Sequence, residues 1–233
     1  MDKKSLSYLI VKNNCEELTD ALEKGVAAGD PKCVLTRVIS NNHRRLPLVA
    51  VSDTARRAAI REVRRMALAG DGEACALLGF YYAPSCSGKA NDALACDYLE
   101  EGVERGNVLA KLILANCLSC GFWCDYDLRY AITLYAECIE EGFHGIGCEL
   151  AITRLIYSHS PDAQRRAFAD AKAAAEHPEG YLEAKLLLGM LYERGIGTPR
   201  DAQAARYWIE AAGPAIEKQE EFAQYLKDIP ASG

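Results

Sequence analysis

The sequence lacks any long apolar run, and its aromatic content is low. No window approaches the roughly 18 to 20 consecutive apolar residues that a membrane-spanning helix needs, and aromatic residues make up only 8% of the 233 positions. Alternating strand-like segments are also scarce, the one of useful length being LPLVAVS at residues 46–52. These absences argue against a membrane span and a β-sandwich, whereas abundant alanine and leucine favour closely packed helices.

A basic excess and a recognisable catalytic motif are missing as well. The chain has 27 Lys and Arg against 33 Asp and Glu, for a net charge of −6, which disfavours a nucleic-acid binder. No serine or cysteine lies beside a histidine in a known nucleophile motif. The histidines fall in predicted turns or helix ends of different segments: His43, His144, His159 and His177. We therefore predict that the protein is not an enzyme and uses no cofactor.

The N-terminal region contains no recognisable signal peptide. The apolar stretch LSYLIV at residues 6–11 is too short for a signal-peptide core, and a polar, acidic segment follows it. We therefore predict a cytoplasmic protein with no membrane span. In a reducing compartment, most of the ten cysteines are expected to be buried thiols that pack as small hydrophobic residues.

A repeat of 36 or 37 residues runs through most of the chain. The segment AKLLLGMLYERGIGTPRDAQAARYWIEAAG, residues 184–213, has four earlier counterparts that each open with a small residue. The openings are Cys33, Ala74, Ala110, Gly147 and Ala184, so the steps between them are 41, 36, 37 and 37 residues. A period of this length is typical of proteins that stack helix pairs.

Two further marks set the phase of each unit. Aspartates are predicted to open the second helices, because their side chains accept hydrogen bonds from free amides: Asp53, Asp92, Asp127, Asp162 and Asp201. Glycines are predicted to close most second helices, because they readily adopt the left-handed conformation: Gly29, Gly70, Gly106, Gly142, Gly180 and Gly213. Small residues at Gly79, Ala115 and Gly189 should let paired helices approach closely.

Apolar residues recur at helical spacing within each unit, as at Ala184, Leu187, Leu188 and Leu191. The predicted fold is therefore all-α, a right-handed superhelical solenoid of about five antiparallel helix pairs, or α/α repeats, with terminal capping helices. LPLVAVS is interpreted as a loop insertion in the first, degenerate unit. The predicted single domain, 1–233, comprises an N-terminal cap (1–32), the repeats (33–213), and a C-terminal capping helix and tail (214–233).

The last unit resembles the Sel-1-like repeat family, which is related to the tetratricopeptide repeat (TPR). The family pattern is a small residue, Leu-Gly, Tyr, a Gly-x-Gly turn, Asp, and an aromatic residue followed by paired alanines. The matching positions are Ala184, Leu188, Gly189, Tyr192, Gly195, Gly197, Asp201, Ala205, Trp208, Ala211, Ala212 and Gly213. The units from Ala74 and Ala110 keep about half of these marks, and the Gly-x-Gly turn occurs only in the last unit.

The resemblance covers about residues 33–213 and implies a TPR-like α-solenoid that acts as a scaffold or adaptor in protein–protein interactions. Bacterial members commonly serve as adaptors, and some are immunity proteins that neutralise a toxic effector. A short, acidic solenoid fits that last role. The expected partner is therefore a protein or peptide, such as a toxin, an effector or a signalling protein.

One predicted binding surface is basic. Between Pro31 and Gly70, nine Lys and Arg face only two acidic residues. Arg57, Arg61 and Arg64 project from one side of the helix that starts at Asp53. A solvated helix face and a docking surface for an acidic protein both fit this pattern. Nucleic acid is not expected, because no aromatic residues alternate with the arginines.

The other predicted surface is the concave groove, which the first helices line in TPR-like arrays. Positions one and six residues after each opening are expected to face it, and turn aromatics supply an anchor. For Phe80 and Trp123, packing between neighbouring units is the alternative interpretation. The counted positions are Cys75, Phe80, Lys111, Asn116, Cys148, Thr153, Lys185 and Met190, and the predicted groove residues are Arg37, Phe80, Lys111, Asn116, Phe122, Trp123, Arg154 and Lys185.

The cysteines support the alternative function, a metal-binding or redox-sensing regulator. Cys117, Cys120 and Cys124 have C-x-x-C-x-x-x-C spacing, and three thiolates with a fourth ligand suit zinc. Only one C-x-x-C pair exists, so no metal site is predicted. A disulfide is the other option, and the secreted branch of the resembling family suggests Cys138 with Cys148. The predicted packing cysteines are Cys33, Cys75, Cys96 and Cys117.

Overall fold

A computed structural model describes residues 5–12, 15–43, 50–83, 91–121 and 124–231, with the side chains of 41–43 excepted. Within these ranges the regular secondary structure is helical and no strand occurs, so the all-α prediction is confirmed. The chain forms two compact units, Met1–Asp127 and Leu128–Gly233, each of which is described by itself.

Seven α-helices are described in the first unit. They are α1 (Leu6–Val11), α2 (Cys15–Ala28), α3 (Pro31–His43), α4 (Asp53–Leu68), α5 (Gly72–Tyr82), α6 (Asp92–Glu104) and α7 (Val108–Cys120). The helices α3, α5 and α7 pack in succession, and α4 and α6 pack beside them. Most of the LPLVAVS segment lies outside the described residues, and its last three residues have no regular structure.

The second unit continues the same pattern. Its α-helices are α8 (Leu128–Glu140), α9 (Gly147–Tyr157), α10 (Pro161–Ala175), α11 (Leu182–Arg194), α12 (Ala202–Ala212) and α13 (Gln219–Leu226). Two 3₁₀ helices, His144–Ile146 and Gly213–Lys218, precede α9 and α13. The side chains of Phe222 and Leu226 in α13 are buried in the core that α9, α10 and α11 form, so α13 closes the end of this unit.

Helix pairs run antiparallel and approach closely at glycines. In the pair α5 and α6, a Cβ atom placed on Gly79 would lie 2.6 Å from Cγ of Leu99, and one on Gly102 would lie 3.4 Å from the carbonyl oxygen of Gly72. In the pair α11 and α12, a Cβ atom on Gly189 would lie 2.7 Å from Cγ1 of Ile209. The predicted role of small residues is confirmed at Gly79 and Gly189, because a Cβ atom there would force the paired helix to shift, whereas the 3.4 Å contact at Gly102 is an ordinary van der Waals distance.

The closing glycines are also confirmed. All six predicted positions have positive φ angles, between 51° and 98°. Gly29, Gly70, Gly106, Gly142, Gly180 and Gly213 therefore adopt backbone conformations in which a Cβ atom is unfavourable.

The predicted caps of the second helices are mostly wrong by one or two residues. Among the predicted aspartates, Asp201 accepts hydrogen bonds from the free amides at the start of its helix. The cap is Ser52 at α4, Asn91 at α6 and Ser160 at α10. The aspartates Asp53, Asp92 and Asp162 follow in the first turn, where their charge favours the positive end of the helix dipole. Asp127 directly precedes α8.

Candidate partner-binding site

The basic face of α4 keeps two arginines available to solvent. Arg57 and Arg61 are exposed, and no described residue forms a hydrogen bond or an ion pair with either of them. Arg56 instead contacts Asp53 at 2.8 Å, and Arg65 contacts Glu62 at 2.6 Å. The outward positive charge of this face therefore comes from Arg57 and Arg61, together with the exposed Arg64.

The other members of this face are held by neighbouring groups. A hydrogen bond from Arg65 lowers the pKa of the Glu62 carboxyl and keeps it ionised opposite Arg65. Arg64 donates a hydrogen bond to the hydroxyl of Tyr82, and its guanidinium carbon lies 5.4 Å from the centroid of that ring. Arg64 is therefore anchored toward α5 and is less available to a partner than the sequence predicts.

The predicted groove residues do not form one exposed surface. Arg37 is 1% exposed and Lys111 is 8% exposed, so both lie inside the first unit, which corrects their expected place on a binding surface. Asn116 is exposed, and Phe80 is half-buried. In the second unit Arg154 and Lys185 are also half-buried. Phe122 and Trp123 lie outside the described residues.

The N-terminal helix packs on the helix that contains Lys111. Helix α1 packs against α7, and the backbone N–H of Ser7 donates to Oε1 of Glu73 at 2.7 Å. Asn107, the N-cap of α7, donates to Oγ of Ser7 at 3.0 Å. Counting positions within a repeat finds residues on the face of α7, but it does not reveal that α1 packs on that helix.

A half-buried set of ion pairs supports the same region. Nζ of Lys32 lies 2.6 Å from Oδ2 of Asp71 and 3.1 Å from Oε2 of Glu73. Burial acts to lower the pKa of Lys32, but hydrogen bonding and charge from the two carboxylates outweigh it, so the pKa is raised. Burial likewise acts to raise the pKa of Asp71, and Lys32 lowers it overall. Lys32 therefore ties α3 to the start of α5.

The cysteines divide differently from the prediction. Cys96 in α6 forms a disulfide with Cys124, with their Cα atoms 6.1 Å apart. The interpretation of Cys96 as a small packing residue is therefore wrong. It also means that Cys124 cannot act as a thiolate ligand while the bridge holds. Cys148 is a free, buried thiol, so it is not bridged to Cys138.

The remaining thiols do not form a metal site in the part of the chain that the structure describes. No group of three or more His, Cys, Asp or Glu side chains there is placed to hold a metal ion. Burial raises the pKa of Cys33 and Cys117 to about 12 and that of Cys75 to about 11, so these thiols stay protonated at neutral pH. Cys120, by contrast, is exposed at the end of α7.

The second unit contains a cavity that charged, polar and apolar side chains line together, and the sequence did not indicate it. It has a volume of about 400 Å³ and lies between α8, α9 and α10. Arg154, one of the predicted groove residues, lines it together with Arg129 and Arg166, which sequence reasoning missed. These arginines are far apart in sequence and each has its own neighbouring partner, so no local pattern connects them.

None of the described helices combines the length and apolar character needed to cross a lipid bilayer.

No protein-family model matches the chain, and no curated protein matches it in sequence.

Solved structures do show a similar fold. A Sel1 repeat protein from Oxalobacter formigenes is 19% identical and aligns over 86% of this chain and 79% of its own, with a TM-score of 0.60. A protective antigen present in uropathogenic Escherichia coli strains, which displays an SLR (Sel1-like repeat) fold, is 19% identical with a TM-score of 0.64. That match covers 97% of this chain but 49% of the antigen, so the chain spans about half its length.

Proposed function

We propose, from the premise that this chain has the fold of Sel1-like repeat proteins, that it is a non-enzymatic scaffold that binds a protein partner. The observation that carries the proposal is the basic face of α4, where Arg57 and Arg61 are exposed while neighbouring arginines are paired. Two cations with no ion-pair partner among the described residues, on an otherwise acidic protein, favour a partner with an acidic surface.

The helix pairs suit this role physically. Each pair buries its apolar face against its neighbours, so the surface is largely ordered before a partner arrives. A preformed surface lowers the entropy lost on binding, and charge complementarity speeds association. Function in a helix-pair stack then depends on which side chains the outer surfaces present, and not on a reactive group.

A narrower form of the proposal is a bacterial, cytoplasmic immunity protein whose partner is a toxic effector. The short, acidic chain supports this form. The Cys96–Cys124 disulfide speaks against the cytoplasmic part of it, because disulfides persist mainly in oxidising compartments. The oxidation state of this pair in cells is the measurement that decides the compartment.

The experiment that tests the scaffold is capture of partners on the purified protein, followed by calorimetric titration of each identified partner. Reversing Arg57 and Arg61 to Glu should weaken binding by about tenfold or more, because two complementary charges become repulsive. The matched control reverses Arg200 and Arg206 to Glu, which are exposed and lie in the second unit. Trp123→Ala tests the predicted groove in the same assay.

The outcomes separate the two levels of the proposal. If no captured protein binds after purification, the scaffold function is rejected. If a partner binds both double variants as tightly as the unmodified protein, the scaffold stands and the basic face is rejected. A captured effector whose toxicity the protein suppresses would support the immunity role.

The disulfide favours a second candidate function, a redox-sensing regulator. Cys120 is exposed four residues before the bridged Cys124, so a thiol and a disulfide lie in the same short segment. Partner affinity should then change when the bridge is reduced, and Cys96→Ser should lock the reduced behaviour. Equal affinity in both states would reject redox control. A zinc content of one ion per chain that is lost in Cys117→Ser would instead support a metal-binding regulator.

A further inference from the structure

The cavity of the second unit is lined by three guanidinium groups from three helices. Arg129 comes from the start of α8, Arg154 from α9 and Arg166 from α10. At about 400 Å³ the cavity is the size of a small ligand site and has room for one or two amino-acid side chains. The three cations therefore converge on one cavity that is open to solvent on one side.

Each arginine is held in place by one neighbouring group. Nη2 of Arg129 donates to the hydroxyl of Tyr157 at 3.0 Å. Nε of Arg154 donates to Oδ2 of Asp170 at 2.6 Å, and Nε of Arg166 lies 2.9 Å from Oδ2 of Asp162. A guanidinium group carries five N–H donors, and contacts through Nε leave the terminal nitrogens of Arg154 and Arg166 for a ligand.

The local charge is opposite to that of its surroundings. From Leu128 to the C-terminus the chain has 16 acidic and 11 basic residues. The cavity lining has three arginines and one acidic residue, Asp162, and a second carboxylate, Asp170, pairs with Arg154 from outside the lining, so the arginines exceed these carboxylates by one. The start of α10 adds to this field, because Ser160 and Ala163 from its first turn also line the cavity at the positive end of the helix dipole. The cavity is therefore a positive site on an acidic unit.

Tyr157 and Ile132 add apolar surface to a wall that also contains Thr133, Ser158 and Ser160. Tyr157 is 47% exposed and stands beside Arg129, with its ring centroid 6.0 Å from the guanidinium carbon. Ile132 lines the cavity from α8. An isolated inorganic anion makes no use of such a wall, whereas a peptide presents an acidic side chain and apolar atoms together.

We propose that this cavity is a binding site for the acidic side chains of a partner peptide. Carboxylates pair with guanidinium groups through two parallel hydrogen bonds, which suits the fixed arginines. A nucleic acid is disfavoured as the occupant, because the acidic unit around the cavity repels an extended phosphate chain. The proposal rests on the scaffold function above and names the chemistry of a partner segment.

The test measures fluorescence anisotropy of a labelled octapeptide, Glu-Tyr-Glu-Gly-Glu-Tyr-Glu-Gly, against the full chain. A second peptide has every Glu replaced by Gln. The Glu peptide should bind and the Gln peptide should not. The affinity of the Glu peptide should fall with added salt, because exposed charges are screened. Replacing Arg129 and Arg166 together by Gln should weaken binding by about tenfold or more, since two charged hydrogen bonds are lost.

The matched control replaces Arg200 and Arg206 by Gln, which removes the same charge from exposed positions that do not line the cavity. Unchanged affinity in the control supports a localised site. Equal weakening in both double variants would show a diffuse charge effect and overturn the proposal. A melting temperature equal to that of the unmodified chain confirms that each variant is folded.

Two further results also count against the site. Equal binding of the Glu and Gln peptides would show that carboxylates are not recognised. Binding of inorganic phosphate to the cavity, with no binding of the Glu peptide, would assign the cavity to a free anion. If the captured partner still binds the Arg129 and Arg166 double variant normally, the cavity proposal fails while the scaffold function stands.

Discussion

At the scale of single residues, glycine has two separate roles in this fold. One is to let helices touch, as Gly79 and Gly189 do where a Cβ atom would meet a side chain of the paired helix. The other is to take a left-handed conformation at helix ends, as at Gly142. Gly197 combines the two, because its φ is 71° and a Cβ atom there would collide with the backbone carbonyl of Gln164.

Gly197 and Gly142 allow these roles to be measured separately. Gly142→Ala should lower the free energy of unfolding by about 1 kcal/mol, because an L-residue is strained at positive φ and nothing lies within 4 Å of the new Cβ atom. Gly197→Ala should lower the free energy of unfolding by about 3 kcal/mol, because the new Cβ atom is strained at positive φ and also collides with the backbone of Gln164. Urea unfolding measures both; equal losses would show that the contact with Gln164 is unimportant.

The ion pair of Lys32 with Asp71 predicts a specific dependence on pH. Because the pKa of Asp71 is lowered in the folded state, its stabilisation is present above pH 4 or so and is lost as pH falls through the folded pKa. Because the pKa of Lys32 is raised in the folded state, the stabilisation that its charge provides is lost only as pH rises above 10.5, the ordinary pKa of lysine.

Lys32→Met tests this dependence. It should lower the free energy of unfolding by about 1 to 2 kcal/mol at pH 7, since charged hydrogen bonds to two carboxylates are lost. The difference from the unmodified chain should shrink toward pH 3 in urea unfolding measured at both values. A difference that stays constant with pH would contradict the assignment.

At the scale of elements, the start of α4, α6 and α10 depends on a residue one or two positions before the aspartate. Ser52 accepts a hydrogen bond from the amide of Ala55 at 3.2 Å, whereas Asp53 occupies the first turn and pairs with Arg56. The Asn or Ser found at the caps of α6 and α10 serves in the same way. An aspartate recurs near the start of every second helix because this residue is favourable in the first turn as well as at the cap.

Substitutions in α4 distinguish the two positions. Ser52→Ala should lower the free energy of unfolding by about 1 kcal/mol, because the cap of the helix is lost. Asp53→Asn should have a smaller effect of about 0.5 kcal/mol, because it removes only an exposed charge near the dipole and an exposed ion pair. Denaturant unfolding of both variants is the measurement, and the reverse order of effects would restore Asp53 as the cap.

At the scale of the whole molecule, the disulfide is the one covalent cross-link among the described residues. It joins α6 to the segment after α7 and spans 28 residues of the first unit. By constraining the unfolded chain, a loop of this size contributes about 3 to 4 kcal/mol of stability in the chain-entropy model. The first unit should therefore be more stable in an oxidising environment than in a reducing one.

Cys96→Ser should lower the free energy of unfolding by up to about 3 to 4 kcal/mol under oxidising conditions. Adding a thiol reductant should bring the unmodified chain to the same value and leave the variant unchanged. Cys120→Ser is the matched control, because this exposed thiol is not bridged, and it should have little effect. Intact mass before and after reduction counts the bridge directly; an unmodified chain that is insensitive to reductant would contradict it.

The sequence by itself determined the helix pairs, their period and the glycines that close them. These features follow from local physics: apolar residues at helical spacing, left-handed glycines such as Gly70, and small residues at crossings such as Gly189. Each unit contains its own signal, and five imperfect copies reinforce one another. The resemblance to Sel1-like repeats was likewise visible in the last unit and was confirmed as a likeness of fold.

Only the tertiary structure decided which side chains meet or are covered. The bridge between Cys96 and Cys124, the burial of Arg37, and the convergence of Arg129 with Arg166 join residues from separate elements. A repeat pattern gives a position on a helix, but exposure and pairing depend on what packs over that position. Binding chemistry in a helix-pair stack therefore depends on long-range packing, although its helices are specified locally.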